Sequence, residues 1–71
     1  MVMPLSMAPV GERNVIKKVG GNEAARRFLK NLGFVAGGAV TVISESEGNM
    51  IVNIKGARVA IGRDMANRIM V

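Results

Sequence analysis

The chain has 71 residues, with ten Lys/Arg against five Asp/Glu and therefore a formal charge of +5, and it contains no Cys, His, Trp or Tyr. A chain of this length makes one domain with a stability of roughly 4–10 kcal/mol. Without cysteine or histidine there can be no disulfide, no Cys/His zinc site, no Cys/His nucleophilic dyad and no Ser–His–Asp triad. No apolar run approaches the ~18 residues that span a membrane. The start, MVMPLSMAPVGER, lacks the basic beginning and long apolar middle of a signal peptide. A soluble cytoplasmic domain is the expectation. The basic residues are dispersed, which favours a well-solvated surface over a nucleic-acid track, although the charge suits an acidic partner. Six Met are many for this length and suit irregular packing gaps or adaptable contact surfaces.

In chain order, residues 1–11 carry Pro4, Pro9 and Gly11 and read as an extended, turn-rich lead-in. Its apolar points Leu5 and Met7 either tuck onto the barrel or form an exposed contact patch. Residues 12–19, ERNVIKKV, read as a short strand whose alternation falters at Val15-Ile16, as a bulge or burial on both faces would make it. Gly20-Gly21 ends it. The stretch 22–42 organises the chain. Asn22 is a good N-cap, and Ala25, Phe28, Leu29 and Leu32 fall at i, i+3, i+4 and i+7 as one apolar stripe. Both phenylalanines, Phe28 and Phe34, are expected inside. Glu23 lies at the positive end of the helix dipole, with Arg26, Arg27 and Lys30 toward the negative end. Gly33 stands where a left-handed C′ residue is expected, and Phe34 is its apolar contact. A helix only ~16 Å long is not stable alone and must pack on a sheet.

Strands follow at 39–45 (Val40 and Val42 on one face), 50–55 (Met50, Val52, Ile54) and 58–61 (Val59, Ile61), with turns at Gly48-Asn49 and Gly56-Ala57. Residues 62–67, GRDMAN, suit one tight 3-10-like turn, and 68–71, RIMV, a last short strand. The fold class is mostly β: a small, partly open SH3-like barrel of about five strands with one short α-helix and a 3-10 turn, a single domain over residues 1–71.

Candidate chemistry is thin. None of Ser6, Ser44 and Ser46 lies in a nucleophile elbow. Glu45 and Glu47 share a strand face before a turn, where a solvated turn is favoured over an oxygen-ligated cation. VGGNEAARR lacks the spacing of a phosphate-binding loop. Two phenylalanines supply neither a stacking platform for single strands nor the aromatic walls of a proline-peptide groove. No enzymatic activity, metal or cofactor is expected; the chain works by contact. The surfaces that suit this are Leu5 and Met7, with Met3, and the outer helix face of Arg26, Arg27 and Lys30.

The run ARRFLKNLGFVAGGAVTV resembles the signature of the FeoA (ferrous iron transport protein A) family: a helix ending in Leu-Gly, then a glycine turn into a Val-x-Val strand. Ile54-x-Gly56 followed by Arg58-x-Ala60-Ile61, and the ending Ala66-x-x-Ile69-x-Val71, resemble it too, so the likeness runs from Leu5 to Val71. Ala36 stands where that family carries proline before the turn glycine, which loosens the turn. The resemblance implies an SH3-like cytoplasmic accessory protein of bacterial ferrous iron uptake. Its implied partner is the membrane transporter FeoB with its cytoplasmic GTP-binding domain, which would bring it to the inner membrane. The fold also occurs as a regulatory domain of iron-dependent repressors, whose winged helix has no room here. Two rival readings stand beside it. One is a small basic RNA- or ribosome-associated barrel. The other is a GTPase-activating module with an arginine finger from Arg26, Arg27, Arg58 or Arg63.

Overall fold

In the computed structural model residues 2–71 are described, and the part of the lead-in at Met1 lies outside them. In chain order the elements are a 3-10 turn at Leu5–Met7, β1 (Arg13–Val15), β2 (Lys18–Val19), α1 (Glu23–Leu32), β3 (Ala39–Ser46), β4 (Asn49–Ile54), β5 (Ala57–Gly62), α2 (Arg63–Ala66) and β6 (Ile69–Met70). Four strands form one antiparallel sheet in the order β1-β3-β4-β5, and β2 pairs with β6 in a second. Together they make the small, partly open SH3-like barrel. No helix among the described residues is long and apolar enough to cross a membrane.

Alternation decides which face is inside. Val40 and Val42 of β3 and Met50, Val52 and Ile54 of β4 are buried, and the register sets Val42 opposite Val52 and Val40 opposite Ile54. Ile61 of β5 and Ile69 and Val71 at the end of the chain complete the core, with Leu5, Ile16, Leu29 and Phe34. The register slips between Val42 and Ser44, a bulge that lets the turn and the buried rows both be satisfied.

Both hairpin turns lie one residue earlier than expected. Glu47-Gly48 and Lys55-Gly56 occupy the two central positions, with φ of 44° and 84° and of 52° and 75°. Both residues of such a turn need positive φ, and glycine takes the second place. The segment 12–19 is two strands. Ile16 between them is fully buried, and its N–H donates to Gly38 O at 2.8 Å while Lys17 N–H donates to Met70 O at 2.7 Å. The chain passes here from the larger sheet to the smaller, so the faltering alternation marks a change of sheet. The 3-10 turn lies at Leu5–Met7; the segment before the last strand is a single α-turn. Ser6 Oγ donates to Asn67 Oδ1 and ties these two turns together.

The glycine turn into β3 closes without proline. Gly38 N–H donates to Val35 O at 3.0 Å, and Gly37, at φ 89°, takes the third position of a type II turn. Ala36 is then the second position, which proline suits. Gly37 N–H also donates to Ile16 O at 2.7 Å, which fixes the turn against the strand crossing.

Phe28 corrects the expected stripe. It is 51% exposed, whereas Ala25 and Leu29 are buried and Leu32 is half-buried. Successive residues are 100° apart, so a ten-residue helix resting on the end of a narrow barrel buries only the arc centred on Ala25, Leu29 and Leu32. Leu29→Ala should therefore lower the unfolding free energy by ~2–5 kcal/mol, and Phe28→Ala by under about 1 kcal/mol. Urea unfolding of the two variants checks this, and equal losses would place Phe28 in the core. Ala36→Pro should raise stability by about 0.4–1 kcal/mol, by restricting the unfolded chain at a position whose turn accepts proline. A lowered melting temperature would show that the turn is not type II.

Candidate functional site

Helix α1 is fixed at both ends by its own sequence. Asn22 Oδ1 accepts from Ala25 N–H at 2.8 Å. At the other end Gly33 is left-handed at φ 108°; its N–H donates to Lys30 O, and Phe34 N–H donates to Leu29 O at 2.9 Å. This pair of bonds is a Schellman motif, and buried Phe34 is its apolar anchor. A methyl group at Gly33 would lie 3.5 Å from Lys55 Cδ, so the Lys55 stem runs over the helix end. Gly21, at φ 101°, opens the other end, where a methyl group would meet Arg68 Nη1 at 2.7 Å. Arg68 and Lys55 thus flank the two ends of α1.

The outer face of α1 carries Arg26, Arg27 and Lys30, all exposed. Arg27 Nη2 is 2.8 Å from Glu23 Oε1, one helical turn back. With both side chains largely in solvent, this pair adds little to stability. Among the described residues no hydrogen bond or ion pair holds the side chain of Arg26 or of Lys30. Exposed Phe28 lies on the flank of the same helix. At 100° per residue Phe28 lies about 160° around the helix from Arg26 and Lys30, so the aromatic ring occupies one edge of the exposed surface of α1 and these two cations the other. Residue spacing hid Phe28 because it fits the apolar stripe; only the curvature of the barrel end leaves it outside.

The lead-in candidates part company. Leu5 is fully buried in the core and has no surface to offer a partner, because the 3-10 turn folds it under the α-turn that Asn67 holds. Met7 is 71% exposed, and Val10 is exposed beyond it. Met3 is partly buried against the core. Of the arginines considered as a catalytic finger, Arg27 is paired with Glu23 and Arg63 with Glu45, while Arg26 and Arg58 are unpaired among the described residues. The pairing with Arg63 also takes the Glu45 carboxylate, and Glu47 lies in the turn itself. Among the described residues no three of His, Cys, Asp and Glu come together. The arrangement presents exposed cations on α1 and exposed apolar side chains at Met7, Val10 and Phe28.

A small SH3-like barrel whose glycine turns, capped helix and closing strand follow one another in this order defines a recognisable class. The FeoA domain family matches residues 3–71, and the chain belongs to that family. A candidate Fe(2+) transport protein A of Methanocaldococcus jannaschii is 37% identical over 68 residues, covering 96% of this chain and 83% of that protein. Among solved structures, an iron uptake regulatory protein (FeoA) superposes with a TM-score of 0.91 at 35% identity, covering 100% of this chain and 96% of that one. The FeoA of Stenotrophomonas maltophilia, described as a procaryotic SH3 domain protein and solved with zinc, gives 0.81 at 30% identity, over 94% of this chain and 86% of that one.

With no histidine or cysteine and no cluster of carboxylates among the described residues, Fe²⁺ should bind no tighter than to a scattered carboxylate surface. Anaerobic calorimetry should show no one-to-one site at micromolar metal; a stoichiometric isotherm there would overturn this.

Proposed function

We propose that this protein is a non-enzymatic accessory of ferrous iron uptake that acts by docking on the cytoplasmic part of a FeoB-type transporter, which includes a GTP-binding domain. Two things support the reading. The chain is a FeoA family member along almost its whole length, and the exposed surface of the doubly capped helix α1 carries unpaired Arg26 and Lys30 along one edge and exposed Phe28 along the other. The exposed helix face is the single observation that carries docking. Its cations accelerate encounter with an acidic partner surface, and the ring provides apolar area to bury once contact is made. A helix fixed at both ends needs little ordering on binding, which keeps the entropic cost of association low. The protein would then work in the cytoplasm, brought to the inner membrane by its partner.

The double variant Arg26→Glu, Lys30→Glu, and separately Phe28→Ala, should melt within a few degrees of the parent, because exposed positions change stability by roughly 0.5 kcal/mol or less. Each should weaken binding to the transporter's cytoplasmic domain and slow growth on ferrous iron. The parent's association rate should fall as salt rises, and that of the double variant much less. Variants that bind and support growth like the parent would remove α1 as the docking site. Recovery of RNA and no transporter on co-purification from cells would favour the nucleic-acid reading instead.

A further inference from the structure

The outward face of the four-stranded sheet carries a second, independent surface. Directly opposed residues in antiparallel strands share a face. The register pairs Arg13 with Thr41, Thr41 with Asn53, and Asn53 with Arg58. These four side chains therefore form one polar row across β1, β3, β4 and β5, with an arginine at each end. Three interstrand steps of ~4.8 Å put the two arginine backbones roughly 14 Å apart. Neither arginine has a hydrogen-bond or ion-pair partner among the described residues.

Apolar residues border the row. Val15, two positions beyond Arg13, is 54% exposed and lies opposite Ala39; Ile51, two positions before Asn53, is 40% exposed and lies opposite Ala60. No carboxylate shares this face: Glu12 precedes β1, Glu45 pairs with Arg63 beyond the bulge, and Glu47 occupies the turn. The face is turned away from the core that Leu29 of α1 enters, so a partner seated here need not touch α1.

We propose that this sheet face is a docking surface for an acidic, extended protein segment laid across the strands. The segment would carry two carboxylates that meet Arg13 and Arg58, and apolar side chains that cover Val15 and Ile51. An extended chain advances ~3.4 Å per residue, so carboxylates at positions i and i+4 span the distance and point to the same side. Thr41 and Asn53 lie between and can exchange hydrogen bonds with the segment's backbone. The charge pattern selects protein over nucleic acid. Two arginines are few for a phosphate track, no aromatic side chain lies on the face for bases to stack on, and the flanking apolar residues match apolar side chains. A second copy of this chain is also a poor match, since its neighbouring pair Glu45 and Glu47 is spaced by two and Glu45 is held by Arg63.

The test is a titration of isotope-labelled protein with a ten-residue peptide that has glutamates at i and i+4 and valines between, followed by amide chemical shifts. Shifts should concentrate at Arg13, Val15, Thr41, Ile51, Asn53 and Arg58. Arg13→Glu with Arg58→Glu should weaken peptide binding by about tenfold, as like charges are brought together, with the melting curve unchanged; the neutral pair Arg13→Gln, Arg58→Gln should also weaken it. Arg26→Glu with Lys30→Glu should leave it unaltered, which separates this surface from the α1 site. Any of four results would overturn the proposal: no shifts at millimolar peptide, shifts confined to α1, shifts that track protein concentration without peptide, or tighter binding of a single-stranded RNA of equal charge to the same residues.

Discussion

The last strand holds the barrel shut, and the rest of the architecture depends on that closure. Val71 N–H donates to Met3 O at 2.8 Å and Met3 N–H to Val71 O at 3.0 Å, while Lys17 N–H donates to Met70 O and Gly20 N–H to Arg68 O, each at 2.7 Å. One short segment thus pairs with the lead-in on one side and with β2 on the other. Without it, the four-stranded sheet would be an open sheet with an uncovered apolar face. Ile69 and Val71, both buried, plug the gap between the two sheets. Because β2 and the lead-in are far from residue 69 in sequence, closure forms only when both ends of the chain meet, and the barrel should fold as one cooperative unit.

Closure also explains how a helix of ten residues persists. Alone it would be marginal. Anchored through Leu29, its N-cap and its Schellman end, it becomes a rigid platform for side chains that do no structural work. The charges of the chain follow the same division of labour. Glu23–Arg27 and Glu45–Arg63 neutralise one another, whereas the cations left unpaired among the described residues include Arg13, Arg26, Lys30 and Arg58, besides Lys18, Lys55 and Arg68. Of the first four, Arg26 and Lys30 belong to α1 and Arg13 and Arg58 to the sheet.

The sequence contains no histidine or cysteine, and no metal-ligating cluster forms among the described residues. Family membership directs attention to ferrous iron transport. The barrel's contribution is geometric. It holds an aromatic ring, two free cations and a broad polar strand row in fixed relative positions, so that contact costs little ordering.

The sequence by itself determined the elements whose physics is local. Val40 and Val42, and Met50, Val52 and Ile54, alternate with polar or exposed neighbours, and a period of two has only one inside face. Asn22 and Gly33 bracket the helix because one side chain and one left-handed backbone satisfy its end groups. The family likeness was legible in the same stretches. What depended on distant residues was decided only by the tertiary structure. Phe28 fits the helical stripe, but the width of the buried arc belongs to the barrel end beneath it. Leu5 was equally suited to core and surface until residues 63–71 folded over it. The hairpin turns moved by one residue because the pairing of Val42 with Val52 between β3 and β4, and of Val52 with Val59 and Ile54 with Ala57 between β4 and β5, outweighs the cost of a left-handed Glu47 and Lys55. The strand at 12–19 divided because β6 captures its second half, through a hydrogen-bonded partner some fifty residues away that no local pattern encodes.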